Sequence, residues 1–134
     1  MIDIPNTYKT VFFLLLALAV INSFAEEDEK PYQVIDGKID ENTFEGWRSY
    51  RGGTCGQCHG GAGQGLLVSL GEKIDDKARF IKLVTNGNPG TPMPPFKGNK
   101  RVMDNLDNIY AYIKARSDGV LGPGNLIKLP LGKE

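Results

Sequence analysis

Cys55-Gly56-Gln57-Cys58-His59 is the stretch of this chain whose residue types and spacing could do chemistry on their own. Two thiols in C-x-x-C spacing can each add to one vinyl group of a porphyrin, and a histidine that follows directly is held under the ring with an imidazole nitrogen within reach of the iron. Attachment through Cys55 and Cys58 and proximal ligation by His59 then come from a single turn of chain. Two other chemistries use such residues. A thioredoxin-type C-x-x-C needs a βαβ setting, which the surrounding sequence does not offer. A structural zinc site usually takes four protein ligands, whereas this chain has two cysteines and one histidine. The census leaves one covalently bound haem.

A haem iron with a proximal histidine has a sixth position, and its occupant separates electron transfer from chemistry on a small molecule. With a single histidine in the chain, bis-histidine ligation is excluded. Of the three methionines, Met1 lies at the far N-terminus and Met103 falls at the start of the last helical stretch, where a core role suits it. Met93 stands in Pro92-Met93-Pro94-Pro95, whose rings exclude helix and central strand and leave the thioether on a stiff backbone. The alternative for Met93 is a gap-filling core residue. The expected distal ligand is Met93, so that His59 and Met93 together hold the haem iron.

The elements that must position these groups read as short helices. Asn42 with Glu45 resembles a capping box, and Phe44, Trp47 and Tyr50 then fall on one face of a first helix that Gly52-Gly53 ends. Gly46 in that helix is expected to let another helix approach, facing Tyr110 or Ile113. Residues 60–65, four of them glycine, are expected to form either a flexible loop or a loop over the haem that offers a carbonyl to the second imidazole nitrogen of His59. Asp75 or Asp76 caps a helix from Lys77 to Asn86 whose Phe80, Leu83 and Val84 make an ordinary core stripe, closed by Gly87. Leu106, Ile109, Tyr110 and Ile113 mark the last helix, begun near Asp104 or Asn105 and stopped by Asp118-Gly119. Ahead of all these, Val34-Ile35 and Lys38-Ile39 flank Asp36-Gly37, the dipeptide that a type I′ hairpin turn demands.

Residues 1–25 read as an export signal: Lys9, then an uncharged run through Ile21, then Ser23-Phe24-Ala25 before a cleavage. An uncleaved anchor is the alternative. Covalent haem attachment on the far side of a bacterial membrane agrees with export, so the expected location is periplasmic, with no membrane span once the signal is removed. The remaining divisions are an N-terminal extension over 26–41, the haem-binding domain over 42–119 and an extended tail over 120–134. Sixteen basic and sixteen acidic residues leave a formal charge of zero, which gives no signal for nucleic acid or an anionic membrane. Electrostatic steering must then be local, and Lys97, Lys100 and Arg101 after the Met93 loop suggest a basic rim.

The chain resembles the class I c-type cytochromes, on Cys55-Gly56-Gln57-Cys58-His59-Gly60, the Met93 loop, and the first and last helices. More narrowly it is similar to the cytochrome c-550 type carriers that accept electrons from pyrroloquinoline-quinone alcohol or methanol dehydrogenases, on residues 32–40, Phe44-Glu45-Gly46-Trp47-Arg48 and residues 106–119. The resemblance implies an all-α fold with crossing N- and C-terminal helices around one haem c. It also implies an electron carrier rather than an enzyme, with a quinoprotein dehydrogenase as donor and a downstream cytochrome or oxidase as acceptor. The rivals are a general cytochrome donor to a terminal oxidase or other periplasmic reductase, a haem enzyme with an open sixth site, and a thiol redox protein. In class I proteins a proline soon after the haem motif often supplies the carbonyl for the proximal histidine. Here no proline occurs between His59 and Pro89, which leaves that part to another backbone group.

Overall fold

A computed structural model describes residues 29–61, 65 and 74–130. The export signal expected over 1–25 lies outside the described residues. Among the described residues, five helices and three two-residue strands follow in chain order: β1 (Val34–Ile35), β2 (Lys38–Ile39), α1 (Glu41–Gly52), α2 (Cys55–His59), α3 (Lys77–Asn86), α4 (Lys100–Met103), α5 (Leu106–Ser117) and β3 (Ile127–Lys128). The protein is mostly helical.

α1 starts two residues earlier than the Asn42 cap would have it. Asp40 is the N-cap: its Oδ1 accepts from the Thr43 backbone N–H at 2.9 Å and its Oδ2 from the Thr43 hydroxyl at 2.6 Å. The same carboxylate takes the Gln33 N–H at 2.7 Å, so one side chain caps the helix and closes the hairpin before it. Asn42 is exposed, and Glu45 turns to Arg48 at 3.2 Å instead of boxing the cap.

α1 and α5 form the main helix pair, and Gly46 sets how near they come. A β-carbon at Gly46 would stand 1.8 Å from the Asn108 carbonyl oxygen and 3.0 Å from the Ile109 nitrogen, so the two backbones touch. The crossing point is Asn108–Ile109, not Tyr110 or Ile113. Around it Tyr50, Tyr112, Ile113, Val102 and Ile39 are buried almost completely, the three aliphatic side chains each contributing roughly 1.5–3 kcal/mol of hydrophobic burial. Tyr50 meets Tyr112 edge to face, with ring centroids 5.4 Å apart.

α3 is capped by Asp76, whose Oδ1 accepts from the Arg79 backbone N–H at 2.8 Å. Phe80 packs on Tyr110 of α5 (centroids 5.4 Å), and Lys114 of α5 pairs with Asp75 at 2.9 Å. α5 begins at Leu106 after a separate short helix, α4, so Met103 ends that turn rather than starting the last helix.

The hairpin forms as its sequence suggests: Val34 pairs with Ile39 and Ile35 with Lys38, with Asp36 at φ 49° and Gly37 at φ 73°. The tail does more than extend. β3 adds in parallel to β2, Leu129 N–H donates to the Ile39 carbonyl at 2.8 Å, and Lys128 pairs with Glu41 at 2.7 Å. Buried Arg116 holds the path to the tail by donating to the carbonyls of Leu121, at 3.1 Å, and Gly122.

Candidate functional site

Between α2, α3, α5 and the loop after α3 lies a cavity of about 630 Å³, within the size range of cofactor pockets. Cys55, Cys58, His59 and Met93 all line it. The first three arrive together on α2, because Gly53 turns the chain out of α1 and Thr54 takes a left-handed conformation (φ 65°) just before Cys55. Cys55 is half-buried and Cys58 exposed, and no disulfide joins them.

Met93 reaches the same space from far along the chain, and the loop that carries it is braced at several points. The Met93 carbonyl accepts from Asn88 N–H at 3.2 Å, while Phe96 and Lys97 N–H groups donate back to the carbonyls of Val84 and Thr85. Gly87 makes this return possible. It sits at φ 74°, and a β-carbon there would come within 2.8 Å of the Met93 carbonyl oxygen and the Pro95 nitrogen. Met93 is half-buried. Met103, the competing methionine, does not line the cavity.

Burial lowers the pKa of His59 and so favours its neutral imidazole, the form able to ligate a metal. Burial also pushes the Cys55 thiol above its ordinary value, with Cys58 adding to the effect. That is the opposite of a redox-active C-x-x-C, whose nucleophilic thiol is depressed. Nor do three His, Cys, Asp or Glu side chains converge as a metal site among the described residues.

The rest of the wall is apolar, and sequence reasoning had put part of it elsewhere. Phe80, Leu83 and Val84 read as ordinary core, yet they face the cavity along with Ile74 and Ile113. Tyr50 read as part of a helix stripe. It lines the cavity, and its hydroxyl donates to the Gly60 carbonyl at 2.7 Å, tying α1 to the residue after His59. Of the glycine loop expected to serve His59, residues 62–64 lie outside the described residues. Arg79 also lines the cavity and had gone unremarked; its signal was a cation beside Phe80 on the first turn of an apolar-faced helix.

Two of the three cations of the expected basic rim have an acidic neighbour. Lys100 pairs with Asp104 at 2.6 Å, Arg101 approaches Glu45 at 3.8 Å, and neither they nor Lys97 line the cavity. The i, i+4 spacing of Lys100 and Asp104 on one helical turn explains the first pair. The second depends on α4 meeting α1.

A flat apolar macrocycle fits this space. The wall is hydrocarbon, two thiols stand together on α2, and an imidazole and a thioether enter from separate segments. The family model described as "Cytochrome C oxidase, cbb3-type, subunit III" matches residues 41–113, from the first residue of α1 into α5. The chain is 40% identical over 96 residues to cytochrome c-555 of Methylococcus capsulatus, covering 67% of this chain and 75% of that protein. It is 31% identical over 116 residues to cytochrome c-553I of Paracoccus denitrificans, covering 78% of this chain and about half, 51%, of that longer protein. No solved structure gives a significant match.

Proposed function

The chain belongs to the class I c-type cytochromes, electron carriers that hold haem c covalently, and we propose that it works as a periplasmic carrier with one haem. In this reading Cys55 and Cys58 hold the haem as thioethers, His59 is the proximal ligand and Met93 the distal ligand. The donor is a pyrroloquinoline-quinone alcohol or methanol dehydrogenase, and the acceptor a downstream cytochrome or oxidase. The observation that carries the proposal is the convergence of all four side chains on one apolar cavity.

When bound, the haem supplies reversible one-electron exchange at its iron. The chain's own residues set the conditions for it. Neutral His59 presents a nitrogen lone pair, and the Tyr50 hydroxyl bond to Gly60 steadies the backbone just beyond it. Met93 offers a soft sulfur that favours ferrous iron and closes the position where peroxide or oxygen would enter. Phe80, Leu83, Val84 and Ile113 keep water from the cavity, lowering the dielectric in which the charge changes. The donor assignment is supported by the likeness of residues 32–40 and 106–119 to cytochromes of that type, and the periplasmic location by the signal-like residues 1–25.

A second reading has one observation in its favour: the matching family model is named for an oxidase subunit. In that reading the protein delivers electrons to a terminal oxidase from any of several donors. Stopped-flow mixing of the oxidised holoprotein with purified quinoprotein dehydrogenase separates the two. Fast second-order reduction is expected, and its absence alongside rapid oxidation of the ferrous form by an oxidase would favour the second reading. Haem staining of denatured protein tests attachment directly: Cys55→Ala and Cys58→Ala should each reduce it severely, and wild-type staining in both would overturn the attachment site.

A further inference from the structure

Arg79 is the only Lys or Arg among the described residues that line the cavity, and no Asp or Glu lines it with them. It stands in the first turn of α3, while Phe80, Leu83 and Val84 carry the apolar wall on toward the other end, where the Val84 carbonyl meets Phe96 of the Met93 loop at 3.0 Å. Along this helix the lining passes from a cation to hydrocarbon over roughly 7 Å, at 1.5 Å per residue. The cation also keeps its charge to itself. The two carboxylates beside it in sequence have other work: Asp76 caps α3 through the Arg79 backbone N–H, and Asp75 pairs with Lys114 at 2.9 Å. None of the ion pairs among the described residues includes Arg79.

A haem is apolar over its macrocycle and carries two propionate carboxylates on one edge. Among the described residues, a macrocycle laid on Phe80, Leu83 and Val84 has a cationic partner for that edge at only one end of α3, the other end offering the neutral Asn88 and Thr91. We propose that Arg79 is the carboxylate anchor of the cavity: its guanidinium holds a haem propionate through charge-assisted hydrogen bonds and so fixes which edge of the macrocycle faces the start of α3. The planar guanidinium suits this role, because its paired N–H groups match the two oxygens of a carboxylate. The inference rests on the haem reading and adds the orientation of the group within the cavity. A cation there also opposes the extra positive charge of ferric iron, so it raises the reduction potential.

The test uses the holoprotein, with Arg79→Gln and Arg79→Lys compared with wild type by resonance Raman and by redox titration. Arg79 is exposed, so neither change removes core packing. In Arg79→Gln the propionate bending band should shift and the potential should fall. In Arg79→Lys, which keeps the charge but not the planar fork, the potential should recover while the band stays displaced. A band unchanged in Arg79→Gln overturns the proposal even if the potential falls, because the arginine would then act only through its field. Wild-type protein that carries no covalent haem at all would sink the haem reading itself rather than this assignment.

Discussion

At the scale of single residues, Met93 and Met103 are chemically identical and only their placement separates them. Met93 enters the cavity from a loop held at both ends by backbone hydrogen bonds, whereas Met103 closes the short α4 outside it. Met93→Ala should therefore leave the haem attached, lower the reduction potential and abolish the weak far-red sulfur-to-iron band of the ferric protein. Met103→Ala should keep the band. The reverse pattern would reassign the distal ligand.

Two glycines decide how the elements meet. In an open helix, Gly→Ala gains about 1 kcal/mol. At Gly46 the new methyl group would collide with the Asn108 carbonyl of α5, so the helices must move apart. Overpacking of this kind costs about 1–3 kcal/mol and sometimes more. Gly46→Ala should accordingly lower the melting temperature of the holoprotein, and a stabilised variant would show that the crossing is looser than described. Gly87→Ala acts on the site instead. With φ at 74° and the Met93 carbonyl within 2.8 Å of the added carbon, the Met93 loop has to shift. The expected readout is a weakened far-red ferric band with covalent haem retained.

Across the whole molecule, polar pairs tie the chain ends and the cavity wall to α5. The Tyr32 hydroxyl donates to Asp118 at 2.5 Å, and Lys114 bridges Asp118 and Asp75. Burial alone would raise the pKa of Asp118, but the hydrogen bonds from Lys114 and Tyr32 prevail and hold it below its ordinary value. A carboxyl lowered on folding adds stability above its unfolded pKa of about 3.9, and that stability is lost as pH falls through the folded value. Asp118→Asn should thus melt lower than wild type at pH 7, by about 1 kcal/mol for a partly exposed pair. The gap should close below about pH 4, as thermal melts across pH would show; a gap independent of pH would mean that charge is not its cause. Docking belongs to the same scale. No charged residue occurs from Thr85 through Phe96, and Lys100 and Arg101 have acidic neighbours. Lys97 enters none of the ion pairs among the described residues and Glu45 is shared with Arg48, so Lys97→Glu plus Lys100→Glu should slow reduction by the donor at low salt, the gap closing as salt is raised; equal rates across salt would remove this face from docking.

What the sequence determined by itself is chiefly what neighbouring residues specify. The C-x-x-C-H turn, the Asp36-Gly37 hairpin, a cap at Asp75 or Asp76 and the stiff Met93 segment were all legible, because each depends on bonding or dihedral preference within a few residues. Only the tertiary structure decided that Phe80, Leu83 and Val84 line a cavity rather than fill a core, since an apolar stripe looks the same against protein or cofactor. It alone decided that Gly46 meets Asn108, that the tail returns to β2, and that Arg101 lies against Glu45. Each of these joins parts of the chain far apart in sequence, where pairing follows from the summed packing of several elements and no local preference marks it.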